Sequence, residues 1–110
     1  MKIKKTKKEK EGAIQLSILK YLRSEGVFCW RNQPMTYNAK LGINITNPYV
    51  MRGTPDIIAV IDGVFTGFEV KTPKGKQSPD QVLFERRCKL HGGRYYVVRS
   101  VDEVKKILAE

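Results

Sequence analysis

Hydrophobic positions recur at helical spacing near the start of the chain. Ile14, Ile18, Leu19 and Leu22 form the stripe, Thr6 with Glu9 three positions on makes a capping-box pair, and Gly26 stands where a glycine cap ends a helix. Glu11 lies on the same stripe as Ile14, Gln15, Ile18 and Leu22, so its carboxylate is aimed at the edge of the core. Val27 to Arg31 reads as a strand. The segment from Asn32 to Gly53, punctuated by Pro34, Asn38, Gly42, Asn44, Asn47 and Pro48, reads as one long loop. Loops of that length in compact domains are usually functional or mobile.

The period changes between Asp56 and Lys71. Two apolar runs, Ile57 to Ile61 and Val64 to Val70, flank Asp62-Gly63, the strongest short-range hairpin signal. A two-residue turn there sets Val60 opposite Phe65, Ile58 opposite Gly67 and Asp56 opposite Glu69. Directly paired side chains on antiparallel strands have Cβ atoms about 4.5 to 5.5 Å apart, and the alternation along a strand puts Lys71 on the same face as Glu69. Both faces are otherwise apolar, which predicts a central, two-sided strand pair with Asp56, Glu69 and Lys71 at its end. Like charges placed opposite each other destabilise a sheet unless something neutralises them. A hard divalent cation does so, since Mg²⁺ commonly takes one or two carboxylates together with waters and substrate phosphate. A structural ion pair of Lys71 with Glu69 or Asp56 is the competing reading.

Downstream, Thr72 to Gln77 is a turn rich in Lys, Pro and Gly. Ser78-Pro79-Asp80-Gln81 opens a helix with its N-cap, first-turn proline and glutamine three positions from the cap, and the helix runs to about Leu90 before Gly92 and Gly93. Arg94 to Val98 reads as a strand. Ser100 with Glu103 opens a last helix through Val104, Ile107 and Leu108. The order helix, strand, strand, strand, helix, strand, helix, without repeats, predicts a single α/β domain over residues 9–110, preceded by a basic tail at residues 1–8.

Charge adds to this picture. The 110 residues hold 21 Lys and Arg against 11 Asp and Glu, a net charge of +10. Six lysines and one glutamate fall within the first ten residues, so half the excess lies at the amino-terminal end, as a solvated tail or a phosphate-contacting arm. In the long loop, Arg31, Lys40 and Arg52 interleave with Tyr37 and Tyr49, a mixture suited to a nucleic acid's backbone and bases. Lys74 and Lys76 add basic groups beside the carboxylate pair. The longest wholly apolar run, Ile57 to Ile61, is far short of the roughly 20 residues a bilayer span needs, and the start of the chain lacks a signal peptide's apolar segment. Cys29, Cys88 and the single His91 have no zinc-type spacing. Both thiols are expected to be buried, in a reducing, cytoplasmic compartment such as that of a bacterium or a phage-infected host.

Taken together, Gly53-Thr54-Pro55-Asp56 entering a strand, Glu69-Val70-Lys71 on its hairpin partner, Ser78-Pro79-Asp80-Gln81 opening the next helix and the Val97-Val98-Arg99-Ser100 strand exit resemble the VRR-NUC family of the PD-(D/E)XK nuclease superfamily. The resemblance implies a restriction-endonuclease-like αβββαβ domain with a central mixed β-sheet flanked by helices. It implies that Asp56, Glu69 and the carbonyl of Val70 ligate Mg²⁺ or Mn²⁺, with Glu11 contributing directly or through water. Lys71 would position or activate the attacking water, and Gln81 would orient that water or a ligand. The implied activity is metal-dependent endonuclease cleavage of DNA, on Holliday junctions, flaps or other branches, by a homodimer with no small-molecule cofactor and no membrane partner. A non-catalytic basic nucleic-acid-binding protein of the same fold and an RNA-directed nuclease are the alternatives.

Overall fold

The computed structural model describes residues 4–32, 35–38, 43–46, 49 and 51–110. Helix α1 (Lys7–Ser24) begins inside the segment read as a tail. Its cap is the expected one: Thr6 Oγ1 accepts from the Glu9 N–H, and Glu9 Oε2 accepts from the Thr6 N–H. Ile18 and Leu22 are fully buried and Leu19 nearly so, while Gly26 takes a positive φ of 75° past the helix end. Burying each such side chain contributes about 1.5 to 3 kcal/mol. No helix among the described residues is long and apolar enough to cross a membrane.

Strand β1 (Phe28–Arg31) is followed by two four-residue strands, β2 (Met35–Asn38) and β3 (Ile43–Thr46), which pair antiparallel as a separate ribbon. This corrects the expectation of one structureless loop. The segment carries strict alternation at Met35-Thr36-Tyr37-Asn38 and Ile43-Asn44-Ile45-Thr46 around Gly42, but each run is too short to stand out among the Asn, Pro and Gly that surround it. Strands β4 (Ile57–Ile61) and β5 (Val64–Val70) form the hairpin in the predicted register, with Ile58 paired to Gly67 and Val60 to Phe65. Its turn residues have positive φ, 54° at Asp62 and 74° at Gly63, as a tight two-residue hairpin turn requires.

The main sheet runs β1-β4-β5-β6, with β6 (Arg94–Val98) parallel to β5 and the other pairs antiparallel. The β5 to β6 crossover is helix α2 (Pro79–Leu90), and α3 (Val101–Leu108) ends the chain. One sheet face, carrying Cys29, Ile57, Ala59, Phe68, Val70 and Val98, packs on α1 and α3 to make the core. The other is only partly covered. There Phe84 of α2 meets Tyr95 of β6, while Val60 and Phe65, expected to be buried on a two-sided pair, are 40% and 38% exposed. Cys29 is buried as expected, but Cys88 is only partly so, because no residue of α2 is fully buried.

Candidate active site

The site is built where the open ends of the hairpin strands meet the loop from residue 53 to residue 56. The register continues past Ile57 and Phe68 to bring Asp56 beside Glu69. Two glycines make this possible. At Gly53, φ is +76° and a Cβ would overlap the Asp80 carbonyl at the start of α2, so only glycine lets the loop pass there. At Gly67 a Cβ would fall 2.5 Å from Pro55 Cγ, so the buried Pro55 ring sits on bare backbone and delivers Asp56 to the strand. Asn32 ties down the other side: its N–H donates to the Asp56 carbonyl at 2.8 Å, and its amide Nδ2 donates to Thr54 Oγ1 and the Pro55 carbonyl.

Asp56 Oδ2 accepts from the Val70 N–H at 2.8 Å, which fixes that carboxylate across the hairpin. Glu69 is 2% exposed, accepts from the Tyr95 hydroxyl through Oε2 at 3.3 Å, and has the Lys71 ammonium 3.9 Å from Oε1. Burial, reinforced by the hydrogen bond to Asp56 and its charge, pushes the Glu69 carboxyl up to about 9, against the opposing pull of Lys71 and Tyr95. Burial and the neighbouring Glu69 likewise raise the Tyr95 hydroxyl, which stays a neutral donor. Two carboxyl groups thus share one site, and the Lys71 ammonium is too distant from Glu69 for a short hydrogen bond.

The other expected residues divide. Glu11 Oε1 is buried without a hydrogen-bond partner, an arrangement that is costly unless something else meets it. Among the described residues no three His, Cys, Asp or Glu side chains gather closely enough to hold an ion, so Glu11 is not drawn into one group with Asp56 and Glu69. Gln81 Oε1 accepts from the Ser78 N–H at 2.8 Å, so its carbonyl serves the cap of α2. Lys74 joins Lys5, Lys7 and Lys10 along a groove of about 650 Å³ between the start of α1 and Thr72-Pro73. Arg31 and Lys76 are exposed, Arg52 lines a smaller groove against α2, and Lys40 lies outside the described residues.

Three contributors escaped sequence reasoning. Tyr95 reaches Glu69 only because β6 pairs parallel to β5, with Gly67 opposite Tyr95. Arg99 donates to the Gly75 carbonyl at 3.0 Å and so anchors the loop that carries Lys74. The third is Gly67, whose lack of a side chain seats Pro55; a glycine inside an apolar strand is the signal that marks such close approach.

No family model matches the chain, and no curated protein matches it. A solved structure described as a VRR_NUC domain is similar over 92% of this chain and 96% of that chain, with a TM-score of 0.64 at 23% identity. The mixed four-stranded sheet, its flanking helices and the hairpin that carries the carboxylates therefore form a VRR-NUC-like fold.

Proposed function

We propose that the protein is a metal-dependent nuclease that hydrolyses phosphodiester bonds in DNA. The observation that carries this reading is the Asp56 and Glu69 pair, two adjoining carboxyl groups at the end of the hairpin, Glu69 buried and Asp56 fixed by the Val70 N–H. Such a pair fits a hard divalent cation, which needs oxygen ligands and would neutralise both groups. Asp56, Glu69 and the Val70 carbonyl would hold Mg²⁺ or Mn²⁺, and the unpartnered Glu11 oxygen would join through water. When bound, the metal supplies Lewis-acid polarisation of a phosphoryl oxygen and lowers the pKa of water.

The chain's own residues do the rest. Lys71, a residue only 8% exposed, steadies with its ammonium the negative charge that develops on the phosphate oxygens and orients the incoming water. The Val70 N–H holds Asp56, and the Tyr95 hydroxyl holds Glu69, so both carboxyl groups keep their positions as protons leave. The side-chain nitrogen of Gln81 is the arm left to orient water, since its oxygen caps α2. Lys5, Lys7, Lys10 and Lys74 bring the phosphate backbone to this end of the sheet by displacing counterions. Branched DNA is the substrate class proposed, with a homodimer setting two sites on two strands.

Linear, flap and four-way-junction DNA incubated with the protein in Mg²⁺, Mn²⁺ or EDTA tests the reading. Cleavage in either metal and none in EDTA is expected, with branched forms cut fastest. Equal cleavage in EDTA would sink the metal requirement, and a preference for linear duplex would sink the branch selectivity. Light scattering that gives a monomer mass at micromolar concentration would overturn the dimer.

A further inference from the structure

The free edge of β1 carries a feature that the cleavage chemistry does not use. Phe28 and Trp30 project from the same sheet face, 70% and 39% exposed, with ring centroids 5.4 Å apart and planes inclined at 51°. Their register partners are Val60 and Ile58, so they stand on the face toward which Glu69 alternates, and Asn32, just past the end of β1 and two residues after Trp30, is bonded to the Asp56 backbone. Trp30 and Asp56 are therefore diagonal neighbours, about 7 to 8 Å apart at the backbone. A cation sits at the edge of the same strand: the Arg23 guanidinium, coming from α1, donates to the Cys29 carbonyl at 3.4 Å, between the two aromatics in sequence, while Arg31, paired with Ile57, alternates to the opposite face.

Large aromatic side chains are normally buried, and this exposed pair, with the Arg23 guanidinium at the edge of the same strand, has the composition of a surface on which unpaired bases stack while a cation meets the phosphates. The geometry points to a base-stacking platform: Phe28 and Trp30 receive one or two unstacked nucleobases of the DNA strand next to the bond that is cut, with Arg23 at the strand edge on its phosphates. The platform rests on the nuclease reading of Asp56 and Glu69 and adds to it a requirement for unpaired bases. In a duplex the bases are already stacked on one another and their faces are closed. A flap or junction offers open faces beside the scissile bond, so the platform supplies branch selectivity.

Trp30 is the single tryptophan of the chain, so its fluorescence reports the platform directly. The test titrates the full chain, without added metal and at low salt, with a fluorescein-labelled deoxythymidine oligonucleotide and with a duplex of equal length. Anisotropy reads binding on the label while tryptophan emission is recorded. The single strand is expected to quench Trp30 by about half and the duplex far less. Phe28→Leu is expected to weaken single-strand binding at least about 5-fold while leaving duplex affinity within about 2-fold, and Trp30→Phe, which keeps a ring, to retain most of the single-strand affinity. Binding by anisotropy with unchanged emission, or equal affinities in Phe28→Leu, would overturn the platform and leave the nuclease reading standing. Failure to bind either form would overturn both. A change in emission with protein concentration alone, matched by a dimer mass in light scattering, would show that a second copy covers this face and would overturn the platform.

Discussion

Replacing Glu69 by glutamine removes a carboxyl group that the folded, metal-free chain can keep only by holding its proton. Its pKa rises from the ordinary 4.5 to about 9 on folding, chiefly through burial and then through Asp56. A carboxyl raised in this way contributes its full share to stability below the unfolded value and loses it as pH climbs toward the folded value. Each pH unit inside that window costs up to about 1.4 kcal/mol. Between pH 6 and pH 8 the metal-free wild type is therefore expected to lose about 1 to 3 kcal/mol that Glu69→Gln keeps, because the amide still donates toward Asp56 and never ionises. Urea denaturation in EDTA at several pH values measures the difference, which for a domain of this size is several degrees in Tm. Adding Mn²⁺ is expected to reverse the order, stabilising the wild type and leaving the variant unchanged, because binding to the folded state alone raises its stability. A stability difference that stays flat from pH 5 to pH 9 would refute the reasoning, as would a variant that weakens relative to the wild type as pH rises.

Gly67→Ala forces a methyl group against Pro55 and is expected to cost about 1 to 3 kcal/mol by overpacking; displacement of Asp56 should reduce cleavage more than the lost stability explains, checked by assaying the folded fraction. Thr6→Ala removes the cap of α1 and is expected to cost about 1 kcal/mol in urea denaturation. Lys5→Gln combined with Lys74→Gln empties half of the lysine groove and is expected to lower the slope of log affinity against log salt by up to about 2; an unchanged slope would show that no phosphate lies there.

What could be read from the sequence follows how local each determinant is. Asp62-Gly63 fixes the hairpin register within two residues, so the juxtaposition of Asp56 with Glu69 was legible before any coordinates. The helix starts were legible for the same reason, since Thr6, Ser78 and Ser100 each satisfy a backbone N–H three residues away. The environment of Glu69 was not. Tyr95 lies 26 residues away and arrives through a parallel pairing that no local pattern specifies. The β2–β3 ribbon was hidden because four-residue strands give too few alternations to separate from turn chemistry. The exposed Val60 and Phe65 were read as core because an apolar run does not reveal how far a distant helix covers it, and α2 packs mainly toward β6. Gln81 was legible as a cap, and that is the bond its oxygen makes.

The central claim is that Asp56 and Lys71 act on the phosphodiester rather than merely hold the sheet end together. Single-turnover cleavage of a labelled flap DNA in Mn²⁺, measured for the wild type, Asp56→Asn and Lys71→Met alongside their DNA affinities, tests it most directly. Rates at least about 10²-fold lower in both variants, with affinities within about 2-fold of the wild type, are the expected result. Wild-type rates in Asp56→Asn or Lys71→Met would contradict it.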